Sequence, residues 1–256
     1  MFRTTNPAMG EQIFHKARQN AASSTERMTL DGTVNKTAIL LGLALITAMW
    51  SWNVVFPGSA NVAVGALPSP PAWLLMGAPI LAIIAALVTI FKPTVAHISA
   101  PVYALLEGLV LGTISAMFEV SYPGIAMQAA FGTLATLGGL LLAYRSGFIQ
   151  VTDKFRLGVV AATSGIFMLY FVSMIMSFFG AEIPFIRGGG IMGIGFSLIV
   201  VAIAAMNLVL NFDSVEGGVE AGAPKHMEWY GAFGVMVTLV WLYIEMLVLL
   251  SKLRDR

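Results

Sequence analysis

Seven long apolar segments constrain this chain more than any other feature of its sequence. They cover residues 38–56, 72–91, 98–118, 125–143, 157–179, 190–212 and 229–250. A helix needs about 20 such residues to cross the hydrocarbon core of a bilayer, because it rises only about 1.5 Å per residue. The pattern predicts an all-α membrane protein with seven transmembrane helices. A polar N-terminal tail over residues 1–37 and a short basic tail over residues 251–256 flank them.

The composition agrees with a membrane protein and argues against several other classes. Hydrophobic residues make up 58% of the chain and charged residues only 11%, whereas a soluble domain carries about 25% charged residues. The net charge of +1 gives no reason to expect nucleic-acid binding. The chain has no cysteine, which excludes disulfides and thiolate chemistry. No nucleophile–base motif is visible, so neither an enzyme nor a resident cofactor is expected.

The distribution of lysine and arginine predicts the orientation of the chain. Ten of the 14 basic residues fall in the N-terminal tail and in the second, fourth and sixth loops, and four fall on the other side. The positive-inside rule therefore places the N-terminus in the cytoplasm. Seven crossings would put the basic C-terminal tail outside, whereas a re-entrant segment would keep it inside.

Three acidic residues in or beside these apolar segments are candidate functional groups. Glu107 is in the middle of the third, Asp213 ends the sixth, and Glu245 lies within the seventh. A charged side chain at membrane depth costs about 2.5–3.5 kcal/mol on insertion scales, so such residues usually face a bundle interior or a water-filled cavity. The sequence therefore predicts titratable, ion-binding groups. The alternative is that each acid is protonated, hydrogen-bonded and purely structural.

The depth of each acid in the membrane limits which of them can be in contact. Glu245 lies 16 residues beyond Trp229, so it is about 24 Å deeper than the face near which Asp213 is expected. Glu107, about nine residues into its own segment, is closer to Glu245 in depth and is the alternative partner. Carboxylates are hard oxygen donors of the kind that bind Ca²⁺, so Asp213 and Glu245 are candidate ligands of a cation.

Two groups of glycines predict close helix packing. Gly108 and Gly112 form a G-x-x-x-G pattern in the third segment, and Gly189 and Gly193 belong to "GGGIMG" at residues 188–193. Small residues allow neighbouring helix backbones to approach closely. The second pattern also matches a dinucleotide-binding fingerprint, but no strand–turn–helix unit surrounds it, so packing is the favoured interpretation.

Several stretches together resemble the Bax inhibitor-1 family, also called the transmembrane Bax inhibitor motif family, and its bacterial YccA-like branch in particular. They are "TTNPAM", "MTLDGTVNKTAILLGL", "APVYALLEGLVLGTIS" and "NFDSVEGGVEAGAPKHMEWYGAFGVMVTLVWLYIEMLVLLSKL". The resemblance implies a bundle whose last helix lies centrally among the other six, in a bacterial inner membrane. It also implies a pH-sensitive calcium leak across the lipid bilayer.

The resemblance also assigns roles to particular positions. It implies that Asp213 and Glu245 form a hydrogen-bonded pair that senses pH. In the better-studied branch an arginine of the second helix holds this pair, but residues 72–91 contain none. The YccA-like branch further implies a membrane-bound AAA protease as partner, with residues 1–37 as the candidate contact. A proton-coupled transporter is also compatible with the buried acids.

Overall fold

The structure is a computed structural model that describes residues 26–56, 70–181, 183, 186, 188 and 190–255. Within these ranges the chain forms seven helices that are long and apolar enough to cross a membrane. They are α1 (Leu30–Val55), α2 (Ala78–Phe91), α3 (Ala96–Ser121), α4 (Ile125–Arg145), α5 (Asp153–Phe178), α6 (Ile191–Glu220) and α7 (Met227–Arg254). A π-helical turn over Trp73–Gly77 leads directly into α2. The predicted all-α fold with seven membrane-length helices is confirmed.

Some predicted features lie outside the described residues. These are the tail up to residue 25, which contains most of the candidate protease contact, and Gly189 of the second glycine pattern. The first loop is described only at its two ends.

Polar turns extend α1, α6 and α7 beyond their predicted apolar segments. α1 begins at Leu30, eight residues before the predicted segment, because the side chain of Thr29 accepts a 3.0 Å hydrogen bond from the Gly32 N–H and caps the first turn. α6 continues to Glu220, so Asp213 lies inside this helix and does not end it. α7 continues to Arg254, so Lys252 belongs to the helix and not to a basic tail.

The last helix is the most buried of the seven. In its most apolar 18-residue stretch 61% of the residues are buried, compared with 56% in α6 and 11% in α5. It packs against α1, α3, α4 and α6. The helix that carries Glu245 therefore forms the centre of the bundle.

The two ends of the bundle are fixed by contacts between its loops. At the end where α1 and α7 begin, the Met28 N–H donates a 2.7 Å hydrogen bond to the Ala223 carbonyl. At the end where α7 finishes, Arg254 donates to the Pro123 carbonyl at 2.7 Å. We call these the N-terminal and C-terminal ends of the bundle. Within the described residues, α1 thus begins and α7 finishes at opposite ends of the bundle, which agrees with seven crossings and gives no support to a re-entrant segment.

Two glycines allow the backbones of α1 and α3 to approach closely. A Cβ atom built on Gly108 would lie 2.2 Å from the Ala44 carbonyl oxygen, and one on Gly112 would lie 2.1 Å from that of Ala48. No real Cβ atom fits at such distances. The glycines of the third helix are therefore at a contact where the two backbones touch.

Candidate functional site

Glu245 lies inside the bundle with one carboxylate oxygen unpaired. Its side chain projects from the middle of α7 and the residue is only 5% exposed. Oε1 accepts hydrogen bonds from the Tyr170 hydroxyl at 2.9 Å and from Trp241 Nε1 at 3.2 Å. Oε2 is buried and has no hydrogen-bond partner among the described residues. A buried oxygen without a partner is unfavourable, so it is a position at which a proton, a water or a cation would be stabilised.

A cavity of about 370 Å³ adjoins this carboxylate through Tyr170. Its lining comes from α5 and from the connection to α6: Tyr170, Ser173, Met174, Ser177, Phe178 and Ile186. Phe178 is 83% exposed, so the cavity reaches the surface at the C-terminal end of the bundle. Its volume would hold several water molecules of about 30 Å³ each. Glu245 is therefore separated from an open, partly polar cavity by a single phenol side chain.

Lys252 lies two helical turns beyond Glu245 on the same face of α7 and is only 4% exposed. Its ammonium donates to the Ile186 carbonyl at 2.6 Å, to Ser197 Oγ at 2.8 Å and to the Gly193 carbonyl at 3.2 Å. The sequence analysis assigned Lys252 to an exposed tail. It is buried because α7 stays helical for about one more turn of polar sequence, up to Arg254.

Asp213 forms an ion pair with Arg156 of α5 near the N-terminal end of the bundle. The exposed fractions of the two side chains are 24% and 9%. The sequence predicted that Arg156 belongs to the fourth loop, and it offered no cation close in sequence to Asp213. α5 begins at Asp153, and its first turn carries Arg156 towards α6. Arg156 thus provides, from the fifth helix, the cation that residues 72–91 lack.

Buried polar side chains connect these two ends along the contact between α5, α6 and α7. Asn207 donates to Thr163 Oγ1 at 2.7 Å, and Asn211 donates to Thr238 Oγ1 at 2.6 Å. We call the whole set the polar seam; from the N-terminal to the C-terminal end it comprises Arg156–Asp213, Asn211–Thr238, Asn207–Thr163, Glu245–Tyr170 and Lys252–Ser197. The polar seam therefore runs through the full thickness of the bundle.

The structure does not bring Asp213 and Glu245 together. The bond between Asn211 and Thr238 fixes the register of α6 and α7. From that level Asp213 lies two residues towards one end and Glu245 seven residues towards the other, which separates them by about 14 Å along the bundle. The hydrogen-bonded pair that the resemblance implies is therefore absent, because each acid has its own partners on α5.

Glu107 lies at yet another level. Ser115 and Tyr243 share a hydrogen bond of 2.7 Å that fixes α3 beside α7. Glu107 precedes Ser115 by eight residues, so it is about 12 Å closer to the N-terminal end than Tyr243 is. It is half-buried beside the phenol of Tyr103. Glu107 is thus no partner of Glu245, and the described residues contain no group of three acidic or histidine side chains that could hold a metal.

Glu228, at the start of α7, is a buried acid like Glu245, and it was not predicted from the sequence. It is 1% exposed and pairs with Lys36 of α1. Its Oε1 accepts hydrogen bonds from both the N–H and the hydroxyl of Thr29, each at 2.9 Å. A Cβ on Gly32 would lie 2.2 Å from the same oxygen. Glu228 precedes the apolar segment by one residue, so hydropathy assigned it to a loop, yet it joins the first helix to the last.

Seven membrane-length helices, the last of them buried among the others, define a polytopic integral membrane protein whose interior carries ionisable groups. A family model described as Bax inhibitor 1 like matches residues 6–255, and the chain belongs to this family. Neither the comparison with curated proteins nor the comparison with solved structures found a match. The predicted family is thus confirmed, whereas the YccA-like branch stays a prediction.

Proposed function

We propose that the protein is a low-flux cation leak in which Glu245 is the titratable group on the path. Calcium is the ion that the resemblance implies. The observation that carries the proposal is the unpaired Oε2 of Glu245, buried within the polar seam next to a cavity that reaches the surface. An ionised carboxylate attracts a divalent cation and a protonated one does not. Occupancy by the cation should therefore fall as the pH decreases.

The polar seam gives such an ion oxygen ligands on both sides of Glu245. A cation that enters from the cavity meets the hydroxyls of Ser177, Ser173 and Tyr170 first. Beyond Glu245 it meets the amide and hydroxyl groups of the Asn207 and Asn211 pairs, and then Asp213. These groups are bonded to one another, and each pair must exchange partners before an ion can pass. A path of this kind is closed most of the time, which fits a leak better than a fast channel.

The purified protein in liposomes loaded with a calcium-sensitive dye tests the proposal. We expect calcium entry without a partner protein and with a rate that depends on pH between about 6 and 8. Glutamine keeps the shape of Glu245 but cannot ionise, so Glu245→Gln should remove the pH dependence while the protein stays folded. Glu220→Gln is the matched control, since this exposed acid near the end of α6 lies off the polar seam.

Each other outcome points to a different function. A normal pH profile in Glu245→Gln would show that this acid is structural. Absence of flux in the unaltered protein would favour a regulator of a membrane-bound protease acting through residues 1–37. Accumulation of calcium against its gradient, driven by an imposed proton gradient, would identify a proton-coupled transporter.

A further inference from the structure

Lys252 is held in the manner in which a protein binds a small free cation. An ammonium has three N–H donors, and here all three meet neutral oxygens: the carbonyls of Ile186 and Gly193 and the hydroxyl of Ser197. The ring of Phe196 adds its face, with its centroid 5.9 Å from Nζ. None of the ion pairs among the described residues includes Lys252. Carbonyl and hydroxyl oxygens replace the hydration shell of ions in selectivity filters in the same way.

The Lys252 ammonium lies next to the proposed path of the ion. Ile186 contributes its carbonyl to Lys252 and its side chain to the cavity wall. Glu245 precedes Lys252 by seven residues, about 10 Å along α7, and this spacing places the two side chains on the same face of the helix. Lys252 therefore lies at the C-terminal end of the polar seam, beside the cavity and in line with the carboxylate.

We propose that Lys252 is a tethered cation that occupies the ion position at this end of the polar seam and keeps mobile cations out. This inference rests on the proposed function as a cation leak and names the group that limits it. Its charge repels a second cation in a poorly screened interior. Its hydrogen bonds also use the oxygens that a mobile ion would need. An ion passes when the flexible four-carbon chain withdraws the ammonium from its three acceptors.

A structural role for Lys252 makes a different prediction. If the side chain only fastens the end of α7 to the start of α6, its removal lowers thermal stability and leaves the calcium flux as it was or abolishes it with the fold. A tethered cation predicts that flux increases when the charge is removed, and that a free ammonium ion of matching size reverses the increase.

The test uses Lys252→Ala in the dye-loaded liposomes. Alanine keeps only Cβ, so n-propylammonium replaces the missing atoms. We expect flux to increase at least tenfold and to return towards the unaltered level when millimolar n-propylammonium is present on both sides. Tetramethylammonium, which has no N–H donor, should have no such effect. Lys225→Ala is the matched control, because Lys225 lies at the surface with its side chain 53% exposed and paired with Glu26.

The outcomes separate this inference from the function on which it rests. Flux that is unchanged in Lys252→Ala but still sensitive to Glu245→Gln would overturn the tethered cation and leave the leak standing. Increased flux that n-propylammonium does not reduce would also overturn it, since a loosened bundle would behave in that way. Absence of flux in both the unaltered and the variant protein would overturn the leak itself. If the alanine variant does not fold, Lys252→Met repeats the comparison with the ammonium ion in place of n-propylammonium, because methionine lacks only the charged group at the end of the side chain.

Discussion

At the scale of single residues, the buried acids of this protein differ in how fully they are satisfied. Glu228 has a cation, a hydroxyl and a backbone N–H as partners. Glu245 has two donors on one oxygen and, in the part of the chain that the structure describes, none on the other. A fully paired carboxylate stabilises one arrangement of helices, whereas a partly paired one can exchange its ligands. The two acids of α7 therefore suit different tasks, one structural and one functional.

The structural task of Glu228 gives a direct prediction. Glu228→Gln leaves the ammonium of Lys36 without its counter-charge. Water cannot fully replace the lost partner, because the Lys36 side chain is only 16% exposed. Removing one partner of a buried ion pair costs roughly 3 kcal/mol. We expect a clear loss of thermal stability in detergent, with the pH dependence of the leak unchanged in the protein that remains folded. A melting temperature equal to that of the unaltered protein would mean that the pair contributes nothing; Glu220→Gln is again the control.

The sequence predicted the acids of this site better than their partners. Glu107, Asp213 and Glu245 were found because an acid inside an apolar segment is unusual whatever the fold. Arg156 and Lys252 were not found, because each lies where hydropathy falls to that of a loop. Their acceptors are also distant in sequence, 57 residues away in the case of Arg156 and Asp213. The spacing could have indicated Lys252, because a residue seven positions after Glu245 lies on the same face of a helix.

At the scale of helices, the apolar segments predicted every span but not every end. Hydropathy locates the part of a helix within hydrocarbon, and that part is correct to a few residues in all seven cases. The extra turns of α1, α6 and α7 are polar, and local capping and contacts between helices stabilise them. The added turn of α1 is capped by Thr29, and the added turn of α7 contains Lys252. The chemistry at the ends of the bundle is therefore the part that hydropathy could not predict.

The contact between α1 and α3 gives the prediction at this scale. Gly112→Ala places a Cβ about 2.1 Å from the Ala48 carbonyl, and backbone atoms cannot yield as a flexible side chain can. The two helices must separate and lose dispersion contacts along their length. We expect a lower melting temperature in detergent. Gly139→Ala in α4 is the matched control, because a Cβ there meets no atom within 4 Å and alanine favours the helix; equal effects of the two changes would contradict the packing argument.

At the scale of the whole molecule, the order of the helices and the distribution of basic residues together predict which side of the membrane the cavity faces. The order of the helices places the connection between α4 and α5 at the same end as the start of α1. The hydrogen bond from Lys252 to the Ile186 carbonyl places the connection between α5 and α6 at the end where α7 finishes. The cavity beside Glu245 opens at that second end. If the N-terminus is cytoplasmic, as the basic residues predict, the cavity faces outwards and Lys252 lies at the outer end of the polar seam.

Labelling with a membrane-impermeant maleimide tests this orientation, and the absence of native cysteine makes every introduced one unique. Ala181→Cys lies between α5 and α6, Leu253→Cys near the end of α7, and Phe148→Cys between α4 and α5; all three positions are exposed. We expect the first two to react in intact cells and Phe148→Cys to react only after the membrane is opened. The opposite pattern would reverse the orientation and turn the cavity towards the cytoplasm. Reaction at Ala181→Cys with protection at Leu253→Cys would contradict the seven crossings themselves, because the two positions would then lie on different sides of the membrane.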